Sequence, residues 1–245
     1  MAFGVAEGVA GLAGQPGSGK TTLLATFATL RRPSTGALRI LGHDSGNSAG
    51  VRAIRARVGY LPGRIAFAAN MTVGEFVGYA AYYKGMRASA ARAALKRLDL
   101  ADAGRAELSH LPPDVRLRAG LAATCVHEPE LVLLDEPLAG LSSGRPGDAA
   151  AAAELIPLIR SLAPTVVVTA ESERLLTGWC DRVLTLARGR LTDGTPGAQL
   201  GDAAPEASAR GSLARSVGGS LARSLRGPLS RVRAGRMPAG NAAGV

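Results

Sequence analysis

Gly8-Val-Ala-Gly-Leu-Ala-Gly14-Gln-Pro-Gly17-Ser-Gly19-Lys20-Thr21-Thr22 reads as three pieces: a short apolar strand over 8–13, a glycine-rich turn, and the start of a helix running from Thr21 to Leu30. The turn fits G-x-x-x-x-G-K-[ST], and the strand–turn–helix order is the setting a phosphate-binding loop requires. Each part has a chemical reason. Glycines let backbone N–H groups curl round phosphate oxygens, and the helix adds its positive N-terminal end. Lys20 brings a point charge to the β and γ oxygens, and the Thr21 hydroxyl suits a Mg²⁺ shell. The candidate nucleotide-binding residues are therefore Gly14, Gln15, Pro16, Gly17, Ser18, Gly19, Lys20, Thr21 and Thr22. A glycine-rich turn with a chance lysine is the alternative, and the flanking strand and helix speak against it.

A second stretch narrows the chemistry. Leu131-Val-Leu-Leu134-Asp135-Glu136-Pro137 is an all-apolar strand that ends in two carboxylates. Asp135 is the second candidate for the Mg²⁺ shell. Glu136, next to it, is the candidate catalytic base that orients a water. The alternative is a strand merely ending in surface acids. No N-K-x-D-like guanine-reading motif occurs, which weighs against a GTPase.

Between and beyond these stretches the pattern alternates. Ala37–Leu41 and Val58–Leu61 read as strands, and residues 72–102 as mainly helical. Pro112-Pro113-Asp114 opens a helix to about Val126, with proline and an acid both suited to a helix start. Residues 149–162 read as helix and Val166–Thr169 as a buried strand. Arg182–Leu186 and Leu191–Thr192 make a hairpin around Arg188-Gly189. Strands alternating with helices predict an α/β fold.

Composition agrees with this and excludes other classes. Of 245 residues 47% are hydrophobic but only 4% aromatic, so the core must be built from Ala, Val, Leu and Ile. No apolar run approaches the roughly 20 residues of a membrane span, and the start of the chain has no signal-peptide pattern. Cys125 and Cys180 form no C-x-x-C pair, and His43, His110 and His127 lack metal-ligand spacing. Residues 201–245 hold seven arginines against Asp202 and Glu206, a net +5 that is half of the chain's +10. Within them Gly-Ser-Leu-Ala-Arg-Ser occurs at 211 and again at 219. Leu213, Val217, Leu221, Leu225 and Leu229 would line one helix face, whereas Gly218, Gly219, Gly227 and Pro228 oppose a helix. A disordered basic tail and a helix formed on anionic lipid or a partner both stay open.

Taken in order, these pieces resemble the ATP-binding cassette family over about residues 3–200. The phosphate loop leads, followed by Pro33-Ser-Thr-Gly36, Leu41-Gly-His-Asp44, Val58-Gly-Tyr-Leu-Pro62 and Met71-Thr-Val-Gly-Glu75. After Asp135-Glu136-Pro137 come Ala139-Gly-Leu141, Cys180-Asp-Arg-Val183 and Arg188-Gly-Arg190. The resemblance implies a P-loop NTPase with a RecA-like parallel-sheet core and an inserted helical subdomain at about 64–125. The domain would span 1–200, with 201–245 as a tail. It implies ATP and Mg²⁺ as ligands, a separate membrane permease as partner, a second cassette across the ATP, and a place on the cytoplasmic face of the membrane. It leans toward export.

The departures from the family pattern fall at four positions. The signature that would close on the partner's ATP reads Leu111-Pro112-Pro113-Asp114-Val115. Pro113 has no N–H to offer a phosphate. Asp114 would bring a like charge, worth on the order of 4 kcal/mol at about 4 Å and an effective dielectric near 20. The glutamine expected after Tyr60-Leu-Pro62 is Gly63, the switch histidine is Glu171, and the aspartate after Gly140-Leu141 is Ser142. Thirteen residues precede Gly14, so the family's first strands and adenine-stacking aromatic are expected to have no counterpart, and Phe3 lies too close to the loop to stand in. Three readings remain: an energising ATPase subunit, a hydrolytically weak or inactive nucleotide-binding regulatory partner of an intact cassette (which favours a heterodimer), and a soluble cassette protein acting on nucleic acid. Only the arginine-rich tail speaks for the third.

Overall fold

β1 (Gly8–Ala13) is the central strand of a six-stranded sheet. It pairs in parallel with β6 (Thr165–Ala170) on one side and with β7 (Arg182–Ala187) on the other. The computed structural model describes residues 4–68, 70–141 and 147–193. The tail at 201–245 and Ser142 lie outside them. The strand order is β4 (Val58–Leu61), β5 (Leu131–Leu134), β6, β1, β7, β8 (Arg190–Asp193), and β8 alone runs antiparallel, at the edge. The expected α/β, P-loop NTPase fold class holds.

The strands read as apolar runs because helices cover both faces of the sheet. Side chains alternate between those faces. Val132 and Leu134 enter one core, with Val166 and Val168, against α3 (Val73–Tyr83), α4 (Ala88–Arg97), α5 (Pro113–Cys125) and α6 (Asp148–Arg160). Leu131 and Leu133 enter the other, with Val167, against α1 (Lys20–Phe27) and α2 (Ser48–Arg57). With so few aromatics, leucine and valine fill both. Leu24, Ile54, Leu121, Leu133 and Leu134 have no exposed surface.

Several boundaries differ from the sequence reading, each for a local reason. α1 stops at Phe27, short of Leu30, where Thr29 turns to a positive φ of 58°. The strand expected over Ala37–Leu41 is only β2 (Arg39–Ile40). Leu41 and Gly42, at φ 49° and 80°, fold it straight back on β3 (His43–Asp44), which matches the positive-φ pair of a tight hairpin turn. α2 was not anticipated. The Asn47 side chain accepts from the Gly50 N–H at 2.7 Å and starts it, while Arg55 and Arg57 suit its negative end. The helical span at 72–102 splits at Lys84-Gly85, and Thr72 and Glu75 form a reciprocal capping box at the start of its first half.

Because β1, β4, β5 and β6 are parallel, their C-terminal ends leave the sheet at one rim. Gly14, Pro62-Gly63, Asp135-Glu136 and Glu171 all follow directly from those ends. Such a rim is where open parallel sheets bind ligands. Among the described residues no helix is long and apolar enough to cross a membrane.

Candidate functional site

The loop from Gly14 to Gly19 is tightly built. The Gly14 N–H donates to the Ala170 carbonyl at 3.1 Å, which ties the loop to β6. A Cβ on Gly14 would lie 2.6 Å from both the Leu186 carbonyl oxygen and Ser18 Oγ, so only glycine fits. Gly17 and Gly19 take φ values of 78° and 103°, a region that glycine enters without strain. The first-turn N–H groups of α1 have no intrahelical acceptor. Ser18 Oγ is buried and has no hydrogen-bond partner among the described residues. Open N–H groups, an orphaned hydroxyl and a loop shaped by glycine together fit a bound phosphate.

Lys20 is the buried cation of the site, 4% exposed. Its Nζ donates to the Gly14 carbonyl at 2.6 Å and the Gln15 carbonyl at 3.3 Å, and it lies 3.0 Å from Glu136 Oε1. The loop is thus closed on its own lysine, as a buried charge requires. Thr21 and Thr22 stand exposed at the start of α1.

Across the rim, Asp135 is buried and Glu136 is partly exposed. Thr169, near the end of β6, joins them. Its hydroxyl donates to Asp135 Oδ1 at 3.0 Å and accepts from the Glu136 N–H at 2.8 Å. Glu136 sits at φ 48°, unusual for a residue with a Cβ. The Asp135 N–H is held by the Leu61 carbonyl at 3.0 Å. Burial and the charge of Asp135 push the Tyr60 phenol upward. Sequence reasoning missed Thr169; a lone hydroxyl in Val166-Val-Val-Thr-Ala170 was the only signal.

A Cβ on Gly63 would stand 3.2 Å from the Asp135 carbonyl and 3.7 Å from Oδ2, so Oδ2 faces a notch. Glu171 is exposed and lines a cleft of about 830 Å³ with residues 14–18, Glu173, Arg174 and the β7–β8 turn at Arg188-Gly189. Leu111–Val115 do not line that cleft. Leu111 and Pro112 lead into α5, where Pro113 occupies the first turn and Arg116 donates to the Leu111 carbonyl at 2.8 Å. No cluster of three His, Cys, Asp or Glu side chains exists among the described residues. A phosphate-bound Mg²⁺ does not need one, since it keeps several waters and takes one or two protein oxygens.

Comparison with known proteins gives the same direction. The profile of the ABC transporter family matches residues 3–139. The daunorubicin resistance ATP-binding protein DrrA3 of Streptomyces coeruleorubidus is 35% identical over 201 residues, covering 78% of this chain and 61% of that protein. The phosphonates import ATP-binding protein PhnC of Nocardia farcinica is 35% identical over 204 residues, covering 77% of this chain and 75% of that one. Thus the chain spans about three-fifths to three-quarters of these relatives' lengths. A solved structure of the ATP-binding subunit of an ABC transporter superposes with a TM-score of 0.64 at 23% identity, over 79% of this chain and 81% of that one. That likeness concerns the fold.

Proposed function

The chain belongs to the ABC transporter family, and on that premise we propose that it is a nucleotide-binding subunit that takes Mg-ATP at the β1–α1 loop and hydrolyses it slowly alone. The observation that carries this is the convergence of Lys20 and Glu136, 3.0 Å apart, at the mouth of a glycine-shaped loop that leads into the open first-turn N–H groups of α1. On binding, Lys20 would exchange the Gly14 and Gln15 carbonyls and Glu136 for phosphate oxygens. The N–H groups of Gly17, Gly19, Lys20, Thr21 and Thr22 would receive the remaining phosphate charge, while the Ser18 N–H stays on the Gln15 carbonyl at 3.0 Å. Thr21 Oγ1 and Asp135 Oδ2 would hold Mg²⁺, which neutralises charge on the phosphates when bound. Glu136, released from Lys20, would orient a water and accept its proton.

Slow turnover follows from the chain's departures. Glu171 sets an acceptor-only carboxylate where a donor to the γ-phosphate is needed, and Gly63 brings no side chain at all. Pro113 and Asp114 would burden a nucleotide held by a second cassette, so a heterodimer with an intact partner is favoured over a homodimer. We place the cassette domain at 1–200, with its helical part at about 64–125, and a basic tail at 201–245. The partner proposed is a membrane permease, with the subunit peripheral on the cytoplasmic face and the tail available to anionic lipid. Nucleic acid is not proposed as a ligand. Export is the proposed direction, on the likeness to a daunorubicin resistance protein. The equal likeness to a phosphonate import protein makes import the outcome a transport assay has to exclude.

The test is Mg-ATP binding and turnover on the purified chain, with Lys20→Ala and Glu136→Gln. Binding abolished in Lys20→Ala, with little Glu136-dependent turnover until an intact cassette is added, is the expected result. Rapid Glu136-dependent turnover by the chain alone would overturn the slow-hydrolysis part. Binding indifferent to Lys20 would overturn the site.

A further inference from the structure

We propose that Thr169 is a positioning residue for the metal–nucleotide site, setting both carboxylates of the rim through one hydroxyl. The inference rests on the nucleotide-binding reading above and deepens it. Thr169 is 1% exposed, so its hydroxyl has no water to fall back on. It spends its proton on Asp135 Oδ1 and a lone pair on the Glu136 N–H. The two bonds fix different things.

The first fixes a rotamer. With Oδ1 held by the Thr169 hydroxyl, the Asp135 carboxylate cannot turn freely about its terminal bond. Oδ2 is then left toward the notch at Gly63, which has no side chain of its own to take up its lone pairs. A metal shell gains from an oxygen that is aimed before the ion arrives, which is how outer hydrogen bonds tune a ligand. The second fixes a backbone. Glu136 is held at φ 48°, a conformation that costs energy in a residue with a Cβ. The bond from its N–H to Thr169 holds the peptide there, and so aims the side chain at Lys20 Nζ.

The geometry also explains why a threonine stands at a fully buried strand position. Valine has the same shape and suits a strand as well, as Val166, Val167 and Val168 do. Only the hydroxyl distinguishes the two, and both of its bonds go to the site. In a chain with Glu171 at the switch position, Thr169 is the side chain of β6 that touches the acidic pair.

The experiment measures the affinity of a fluorescent ATP analogue, with Mg²⁺ and with EDTA, for the wild type, Thr169→Val and Thr169→Ser. Melting curves check that each variant folds. We expect Thr169→Val to lose about tenfold in affinity with Mg²⁺, the low end for an outer-shell change, and under twofold in EDTA. Turnover should show a lower kcat with a smaller change in KM, and Thr169→Ser should restore both. Equal losses with and without Mg²⁺ would reveal a merely structural role and overturn the proposal. So would a valine variant that matches wild type, or a serine variant that fails to rescue. If Thr169→Val does not fold, Thr169→Cys keeps the volume with a weaker donor and must fall between wild type and the expected loss. Lys20→Ala separates the two levels: wild-type binding that ignores Lys20 sinks the nucleotide reading itself, whereas Lys20-dependent binding unaffected by Thr169 sinks only this inference.

Discussion

Replacing Glu136 by glutamine should tighten nucleotide binding while it abolishes turnover. Lys20 Nζ lies 3.0 Å from Glu136 Oε1, with Lys20 4% and Glu136 29% exposed. At that distance and an effective dielectric of 20 the Coulomb attraction is about 5 kcal/mol. Desolvation of a largely buried pair takes back most of it. What remains is comparable to a charge-assisted hydrogen bond, about 1.5 kcal/mol or somewhat more. Phosphate must displace that bond, so it counts against binding. Glutamine keeps the shape and a weak acceptor but not the charge. Removing about 1.4 kcal/mol of competition lowers Kd about tenfold. Isothermal calorimetry with Mg-ATP measures it, alongside phosphate release, where kcat should fall at least about a hundredfold with the base gone. Glu173→Gln is the control, because Glu173 lines the cleft beside the loop residues 14–18 but its carboxylate bonds Thr185 rather than Lys20. It should change Kd less than about twofold, as an exposed charge screened by solvent. A Glu136→Gln Kd equal to or weaker than wild type, or an equal gain in Glu173→Gln, would refute the competition argument.

Three further outcomes are expected. Glu171→His should raise kcat about three- to tenfold beside an intact cassette, since it adds a donor at the cleft, and a lost donor of this kind costs far more than that; steady-state turnover reads it. His127 is pushed down to about 4 by burial and by Lys84, whose Nζ lies 3.1 Å from Nε2. Its folded pKa is below the unfolded 6.5, so the unfolded chain binds the extra proton first. Stability should therefore fall as pH drops from 6.5 toward 4, by about 1–2 kcal/mol after discounting for partial exposure. Urea midpoints should show that slope flatten in His127→Gln. Gly59→Ala should destabilise by about 1–3 kcal/mol by overpacking, because its Cβ would lie 2.7 Å from the Thr124 carbonyl on α5. Thermal denaturation checks it.

The parts of the site that were legible in the sequence are those whose geometry is local. Gly14 to Thr22 lie within one turn and one helix start, so spacing alone places the lysine under the loop. Asp135 and Glu136 follow a four-residue apolar strand, and a buried parallel strand can end only at the rim. Thr169 was invisible because its two bonds reach residues 34 and 33 positions away, and a threonine in a valine run is an ordinary strand choice. The Lys20–Glu136 contact was hidden in the same way. It exists only because β6 stands between β1 and β5 and all three are parallel. α2 is not anticipated from the sequence although its cap is present in Asn47-Ser48, because Gly46 and Gly50 flank that cap and glycine disfavours a helix. The β2–β3 hairpin turned on Leu41, and no composition rule puts leucine in a left-handed turn.

The charges at the rim constrain how the site can work. Glu171 and Glu173 face Arg174 and Arg188 round the cleft, a balanced set. Lys20 is the remaining cation against the loop, and Glu136 already neutralises it. Before ligand arrives, then, the side chains around the loop offer a polyphosphate no net attraction. In the proposed site, attraction would come from the N–H groups and the end of α1, which act over one turn of helix, and from a metal that Asp135 would hold. Those two sources act on different parts of the ligand. In the proposed site the helix end would serve the phosphates bound in the loop, whereas Asp135, aimed by Thr169, would serve the outermost one, where Glu171 would oppose it. On the proposed reading the loop carries most of the affinity, whereas turnover also needs the groups at positions 63 and 171. A chain can keep the first through Gly14–Thr22 while losing the second through Glu171 and Gly63, and that is the pattern of retained and altered residues here.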